Sequence, residues 1–279
     1  MTIFAPNYAP PPPELEPRRN RTWAILGHQI GAQSGVLNFV LLVFIFIVVI
    51  IPLVVTFYLA QFLPSGLIGS TGLSTFYAPI GEGVWFILLI ILVSSAGAAV
   101  IARDTATKAM TMYLARPIEP IDYLAAKFGA VGFWVFLGGV LPGWISAIIL
   151  LALGYVSLLI ALQAVAGFLL VGLFSIAAFS GLSVLFSSLT SRSTLAGAGI
   201  FGTLLGAYIV MEVLSGISGK SSFLYASPAN DVLAIAAGVF GVSGNPLNPW
   251  SAGAILVAVA LGTFGFAYFR LLRTQVIAE

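Results

Sequence analysis

Long runs of apolar residues without a charged side chain dominate the sequence. Between Arg21 and Glu82 there is no Asp, Glu, Lys or Arg, and residues 36–60 within this interval are almost wholly apolar. A helix needs about 20 such residues to cross the hydrocarbon core of a bilayer. The interval therefore predicts a first membrane span, and later intervals of the same kind predict five more. The six predicted spans cover about residues 36–60, 84–102, 129–153, 159–186, 194–214 and 251–272.

The third and fourth predicted spans come from one uninterrupted apolar interval. Residues 128–191 contain no charged side chain, and this length is too great for a single crossing. We split the interval at a tight turn near Gly154 and Tyr155. The chain is accordingly predicted to be an all-α integral membrane protein with six transmembrane helices, which places both termini on one side of the membrane.

Composition supports this class of protein and disfavours several others. Hydrophobic residues make up 60% of the chain and charged residues only 7%, against roughly 45–50% and 25% in soluble domains. There is no cysteine and a single histidine, His28, so the sequence offers neither a disulfide nor a Cys or His metal site. A Ser-His-Asp catalytic set is disfavoured for the same reason. We expect a chain with no catalytic activity, metal or cofactor of its own.

The positions of Lys and Arg predict the orientation in the membrane. Cytoplasmic segments of membrane proteins are enriched in basic residues. In the six-span arrangement, ten of the eleven basic residues fall on the side that holds both termini, and only Lys220 falls on the other. We therefore expect a multi-pass protein of the cell membrane with both termini in the cytoplasm. The ten residues are Arg18, Arg19, Arg21, Arg103, Lys108, Arg116, Lys127, Arg192, Arg270 and Arg273.

An interfacial elbow helix is predicted just before the first span, over residues 18–35. Gln29 and Gln33 are predicted to lie largely away from its apolar stripe. Residues 1–17 are rich in proline and predict a disordered cytoplasmic tail, and residues 273–279 form the predicted cytoplasmic carboxyl terminus. The apolar stripe of the elbow helix consists of Trp23, Leu26 and Ile30.

A helical hairpin is predicted on the outer side, between the fifth and sixth spans, over residues 220–250. Ser227 as N-cap, Pro228 at the first helical position and Asp231 in the first turn are typical of a helix start. The helix is expected to end near Gly238. Because its apolar part is too short to cross a bilayer, the hairpin is expected to be re-entrant or to lie at the interface.

Charged residues return between the second and third spans, in the predicted cytoplasmic segment 103–127. Its first part predicts an amphipathic helix that ends before Pro117, with Asp104 and Lys108 one turn apart in the favourable order. Such a helix can rest on lipid or dock on a partner, and exposed Met and Tyr side chains favour docking. Its apolar stripe consists of Ala102, Ala106, Met110, Tyr113 and Leu114.

The same segment carries Arg103-Asp104 at its start, a stretch from Met110 to Ile118 that ends in Arg-Pro-Ile, and Ala126-Lys127 before the third span. In this order the residues resemble the coupling segment of the permease subunits of type-2 ABC exporters, which approximates E-R-x-x-G-T-L-x-x-L-L-x-x-P-I followed by G-K. Those permeases are also similar to this chain over nearly its whole length, with an elbow helix, six spans and an outer helical hairpin. In the elbow helix, His28-Gln29 stands where the relatives often carry a Lys-Glu pair.

The resemblance implies a division of roles between this chain and its partners. Two cytoplasmic ATPase subunits would bind ATP and Mg, while this chain would pair with itself or with a related permease and hold no cofactor. The coupling segment would dock on an ATPase and transmit the closing motion of that ATPase to the spans. Membrane lipid is the other expected partner, and no nucleic acid is expected. The docking candidates are Arg103, Asp104, Lys108, Tyr113, Leu114 and Arg116.

The resemblance also implies a substrate path at the seam between the two permeases, lined by the second and fifth spans. Acids near the membrane are candidates for a path or gate because burying them is costly, although these two could also reach interfacial water. Small residues would let the spans approach closely or slide. The candidates are Glu82, Glu212, Ser94, Ser95, Gly199, Gly202 and Gly206.

Two patterns that resemble nucleotide-binding motifs are better explained in other ways. Gly197–Gly202 matches G-x-G-x-x-G but lies inside an apolar span, where the step from Gly202 to Gly206 favours close helix packing. Gly219–Ser221 looks like the end of a P-loop, but Leu214 stands where the first glycine belongs. The energy for transport is therefore expected from another polypeptide.

Two other functional classes remain open at this point. An ion-gradient-driven carrier would need buried acids or discontinuous helices near the midplane, where this sequence is almost all apolar. An ABC-type scaffold or signalling subunit without transport would have the same sequence pattern as an exporter. For a transporter, a mostly apolar lining favours a hydrophobic or amphipathic cargo.

Overall fold

The computed structural model describes residues 18–62, 72–81, 83–109 and 119–276. Within these ranges the regular structure is helical, without strands. Six helices are long and apolar enough to cross a membrane, which confirms the predicted all-α, multi-pass architecture. We number them as spans one to six: Val36–Leu59, Val84–Ala106, Pro120–Ala152, Leu158–Leu189, Ser193–Ser218 and Pro249–Arg273.

Three of the spans are interrupted along their length. In span three the interruption precedes Pro142, which has no backbone N–H to continue the helical hydrogen bonds. The interruption in span five is a π-helical turn, Gly202–Gly206. The helix of span six continues beyond Arg273 to Val276. The α-helical pieces are Val84–Ala98 and Ala102–Ala106 in span two, Pro120–Gly139 and Leu141–Ala152 in span three, and Ser193–Phe201 and Ala207–Ser218 in span five.

Span four lies at the centre of the bundle and packs against spans two, three, five and six. Small residues allow this approach, because a Cβ atom at Gly172 would overlap with the Val140 side chain of span three. The tight turn predicted before this span is confirmed. Gly154 adopts a φ of 74°, and the N–H of Tyr155 donates to the carbonyl of Leu150.

Helices outside the spans pack against the two ends of the bundle. The amino-terminal helix, Arg18–Gln33, packs against span three. At the opposite end lies the helix Pro228–Val239, which we call the cap helix, with the 3₁₀ turns Leu73–Tyr77 and Ser221–Ala226. We refer to these two ends as the amino-terminal end and the cap end.

The cap helix begins where the sequence predicts. Ser227 accepts a hydrogen bond from the N–H of Asn230, and Pro228 is the first helical residue. The cap helix packs against spans four, five and six and against the short helix Ala78–Gly81. In span five its contacts include the π-helical turn. Because protein surrounds the cap helix on several sides, most of its side chains are buried.

The structure shows what the polar face of the amino-terminal helix contacts. Gln29 and Gln33, predicted to lie largely away from the apolar stripe, are each 6% exposed, and Ile25 is buried one turn before Gln29. Trp23 is 60% exposed. The glutamines face inward because their side-chain amides hydrogen-bond to groups of spans two and three.

The helix predicted at the start of segment 103–127 is shorter in the structure. It ends at Ala106, and Lys108 has a positive φ of 56°. Asp104 and Lys108 therefore do not lie one turn apart on a continuous helix, as the sequence predicted. Residues 110–118, which hold the second half of the predicted apolar stripe, lie outside the described residues.

Candidate functional site

A buried ion pair joins span two to span three at the amino-terminal end. The Nζ of Lys127 lies 2.7 Å from the Oδ2 of Asp104, and the two side chains are 2% and 14% exposed. The hydroxyl of Tyr123 donates a hydrogen bond of 2.7 Å to the same carboxylate oxygen. Tyr123 and Lys127 are one turn apart on span three, so both reach the same acid from one face of the helix.

Lys127 also bonds to the amino-terminal helix, where its Nζ donates to the Oε1 of Gln29. The ammonium group lies 5.2 Å from the centroid of the Tyr123 ring, a distance at which a cation–π attraction acts. A buried ammonium is tolerated only when acceptors replace the water that it has lost. We call Gln29, Asp104, Tyr123 and Lys127 the Lys127 cluster, and it ties the amino-terminal helix to the ends of spans two and three.

The break in span two is bonded to two neighbouring elements. Ser187 of span four accepts hydrogen bonds from the N–H groups of Ile101 at 2.8 Å and Ala102 at 2.9 Å. The Ser187 hydroxyl donates to the carbonyl of Ala98 at 3.2 Å. The side-chain amide of Gln33 donates a hydrogen bond of 2.8 Å to the carbonyl of Ala96, which lies in the last helical turn before the break. Side chains thus replace the hydrogen bonds that the interrupted helix lacks, which a membrane-embedded backbone requires.

The six residues predicted to dock on an ATPase fall into three groups. Arg103 and Lys108 are exposed at the amino-terminal end. Asp104 is turned inward into the Lys127 cluster. The remaining three, Tyr113, Leu114 and Arg116, lie outside the described residues.

Lys127, Tyr123 and Gln29 are not predicted from the sequence to belong to one site. One signal was present in the sequence, because Asp104 follows one apolar run and Lys127 lies at the start of the next. Opposite charges at the facing ends of two consecutive spans favour an ion pair across the short connection. Gln29 had no comparable signal, since an amide on a helix face carries no charge to match.

The described path residues on spans two and five differ in their surroundings. Ser94 is 8% exposed and donates to the Ile90 carbonyl of its own helix at 2.7 Å, while Ser95 is half-buried. Gly199 packs against Phe186 of span four, whereas nothing approaches a Cβ position at Gly202 or Gly206. Glu82 lies outside the described residues.

Gly197 makes the close approach between spans two and five. A Cβ atom built there would lie 3.2 Å from the Cβ of Ala98 and 3.4 Å from the carbonyl oxygen of Ser94. The predicted packing of Gly202 and Gly206 against another helix does not occur within the described chain. Their surface on span five is open.

Glu212, the other predicted gate residue, is exposed near the cap end of span five. It lies one turn after Tyr208, which is close to Tyr77 in the 3₁₀ turn after span one. Burial raises the pKa of the Tyr77 hydroxyl, the neighbouring Tyr208 raises it further, and a hydrogen bond with the Asn245 side chain lowers it. These polar groups lie where spans one, five and six approach the cap end.

An apolar cleft of about 690 Å³ lies between the cap helix and spans four and six. Phe174, Ile235, Gly238, Pro249 and Gly253 are among its lining residues, and none of the described path residues lines it. Among the described residues there is no group of three or more His, Cys, Asp or Glu side chains that could hold a metal ion.

The fold and the polar network define a class of protein: a multi-pass helical membrane protein with six candidate spans and a buried charge cluster at one end. Comparison with known proteins does not narrow this class. No protein-family model matches the chain, and no curated protein matches it significantly.

Proposed function

We propose that the chain is the permease subunit of an ATP-binding-cassette transporter that exports a hydrophobic or amphipathic substrate. Two cytoplasmic ATPase subunits would bind ATP and Mg and hydrolyse the nucleotide, and the chain itself would be non-catalytic. It would work as a dimer with itself or with a related permease. The observation that carries the proposal is the Lys127 cluster, which attaches the base of the coupling segment to the amino-terminal helix and to spans two and three.

The proposed orientation puts the amino-terminal end in the cytoplasm of a cell-membrane protein. Exposed Arg103, Lys108 and Arg192 lie at this end, which fits the enrichment of basic residues in cytoplasmic segments. The amino-terminal helix would then lie at the inner interface as the elbow helix, with the exposed Trp23 at headgroup depth. The cap helix would form part of an outer, re-entrant hairpin.

Motion would pass from an ATPase to the spans through bonded contacts. Closure of the ATPases would push on the coupling segment, and the bond between Asp104 and Lys127 would carry that displacement to span three. Gln29 would move the amino-terminal helix with it. The break in span two, held by Ser187, is a place where the helix can change direction. ATP binding would thus shift the population between inward and outward openings, and hydrolysis would reset it.

The substrate path would lie at the seam between the two permeases. The open surface at Gly202 and Gly206 on span five provides room for a second helix to approach closely. Ser94 and Ser95 on span two, with Gly199 on span five, would border the path further along the same two spans. Glu212 would stand near its outer end, as would Glu82 before span two.

The proposal is tested by purifying the tagged chain from its host membrane in a mild detergent. A soluble ATPase with Walker motifs is expected to accompany it in stoichiometric amount. Tyr113→Asp and Leu114→Asp, tested singly, should each abolish this association by placing a charge on the docking surface. Phe223→Asp is the matched control, because Phe223 is 40% exposed at the cap end and should leave the association intact.

The same variants distinguish the alternatives. An ion-gradient-driven carrier would keep its transport activity in Tyr113→Asp and lose it when an ionophore collapses the gradient. A scaffold or signalling subunit would retain the ATPase but show no ATP-dependent flux in reconstituted vesicles. A purified chain that transports alone, without any ATPase, would overturn the proposal.

A further inference from the structure

Within the described part of the chain, the carboxyl group of Asp231 is enclosed at the cap end without a bonding partner. Asp231 lies in the first turn of the cap helix and is fully buried. Neither carboxyl oxygen has a hydrogen-bond partner among the described residues, and neither has accessible surface that a water molecule could touch. The side-chain nitrogen of the adjacent Asn230 is also buried without a partner. Buried polar atoms in this state are rare, and each calls for a physical explanation.

The elements around the cap helix do not supply a countercharge. Span four contains no titratable residue, and in span six the titratable residues are Tyr268, Arg270 and Arg273, at the amino-terminal end. The short helix Ala78–Gly81 and the π-helical turn contain none either. The titratable groups on the other elements packed against the cap helix are Tyr77, Tyr208, Glu212 and Tyr225. None of them bonds to Asp231, and burial by itself raises the pKa of this carboxyl to about 7.

The tight enclosure limits what could neutralise the carboxylate. An ionised carboxylate without a hydrogen-bond partner in such a place is strongly destabilising, because it has lost its water and gained no hydrogen bond in return. A metal ion or the ammonium group of a ligand needs at least the volume of a water molecule beside the oxygens. A proton needs no additional volume and removes the charge.

We propose that Asp231 is a proton-binding site: the closed cap end holds it as a neutral acid, and release of the proton moves the cap helix outward and opens this end of the bundle to water. The carboxylate formed on release can regain hydration only if the cap helix separates from spans four, five and six. Proton binding and closure are therefore linked, as any ligand is linked to the state that binds it better. The inference goes beyond the proposed ATPase partnership and does not depend on it.

Thiol labelling tests the linkage, and the natural chain contains no cysteine to interfere. Val232→Cys places a thiol at a fully buried position next to Asp231, and Ser243→Cys places one at an exposed position after the cap helix. The labelling rate of the first by a water-soluble maleimide is divided by that of the second, which corrects for the pH dependence that both thiols share. The ratio is measured on the purified full-length protein at pH 6, 7 and 8, with Asp231 and with Asp231→Asn.

The expected outcome is a ratio that rises with pH only when Asp231 is present. For one group with a pKa near 7, the ionised fraction grows from roughly 10% at pH 6 to about 90% at pH 8, so the ratio should rise up to about ninefold. Asp231→Asn keeps the shape of the neutral acid and should give a low, constant ratio. A ratio that stays constant with Asp231, or that rises equally in both proteins, would overturn the proposal.

Infrared spectroscopy gives a second readout that needs no substitution at the labelled position. The carbonyl band of a neutral carboxylic acid should be present in the natural protein at pH 6 and disappear on titration through pH 7. The same titration of Asp231→Asn should lack this change. A natural protein whose spectrum shows no such difference from Asp231→Asn at pH 6 would mean that Asp231 is already ionised, and the proposal would be wrong.

Discussion

The ammonium group of Lys127 lies 2.7 Å from the carboxylate of Asp104, and this contact joins the end of span two to the start of span three in a place from which water is almost excluded. The pair has further partners, because Tyr123 donates to the acid and Gln29 accepts from the lysine. A buried ion pair contributes little net stability by itself, but removing one partner leaves the other charge without compensation. The contact therefore acts as a constraint on the relative positions of three elements.

Replacing Lys127 by methionine should destabilise the protein strongly. Methionine fills a similar volume but leaves Asp104 as a buried charge with one donor, and the expected loss is about 3–5 kcal/mol. The measurement is chemical or thermal unfolding of the purified protein in detergent. Adding Asp104→Asn to Lys127→Met should restore part of the loss, because no charge is then left buried. Arg103→Met, at an exposed site, is the control and should change stability by no more than about 0.5 kcal/mol.

Gln29→Leu should release the amino-terminal helix from span three. The substitution removes one acceptor from Lys127 while the ion pair with Asp104 remains, so the expected loss of stability is about 1–3 kcal/mol. Hydrogen exchange of the amino-terminal helix should accelerate more than exchange of span three. His28→Leu, a matched change at the exposed neighbouring position, should leave the exchange rates unaltered. Equal rates in both variants would show that Gln29 does not hold the helix.

Ser187→Ala should destabilise the protein at the break in span two. The substitution removes the acceptor of the Ile101 and Ala102 N–H groups and leaves both without a side-chain partner, at an expected cost of about 1–3 kcal/mol. Ser188→Ala is the matched control, because among the described residues the Ser188 hydroxyl bonds within its own helix, to the Leu185 carbonyl. Unfolding midpoints of the two variants should differ clearly. Similar midpoints would contradict the assigned role of Ser187.

Gly97→Ala should disturb the contact between spans two and four. A Cβ atom at this position would overlap with the side chain of Ser183, and the overpacking is expected to cost about 1–3 kcal/mol. Gly262→Ala in span six has nothing near its Cβ position and should be neutral, or stabilising by up to about 1 kcal/mol. The measurement is the unfolding midpoint in detergent. A neutral Gly97→Ala would mean that the two spans are free to separate.

Asp231 should contribute a fall in stability as the pH rises from about 4 to about 7. Burial raises the pKa of Asp231 from 3.8 to about 7, so in this interval the folded chain retains a proton that the unfolded chain has lost. The loss is complete above pH 7 and amounts to at most roughly 4 kcal/mol. Asp231→Asn should remove this slope from the unfolding midpoints. Glu212→Gln, at an exposed acid, should leave the slope unchanged.

The pattern of hydrophobic residues by itself determined that this is a helical membrane protein with six spans, because whether a segment can cross a bilayer depends on its own length and polarity. Local chemistry likewise determined the start of the cap helix, since the bond between Ser227 and Asn230 joins residues of one turn. The turn at Gly154 was predictable for the same reason.

Only the tertiary structure decided which polar groups face inward. Gln29 and Lys127 are 98 positions apart, and nothing near either residue in sequence selects the other. Their contact depends on how the amino-terminal helix packs on span three. Asp231 likewise looked like a common first-turn acid, and the packing of the cap helix against its neighbours left its carboxyl without a partner. The hydropathy of a segment depends only on the residues within it, whereas a buried bond between two helices exists only after those helices have packed together.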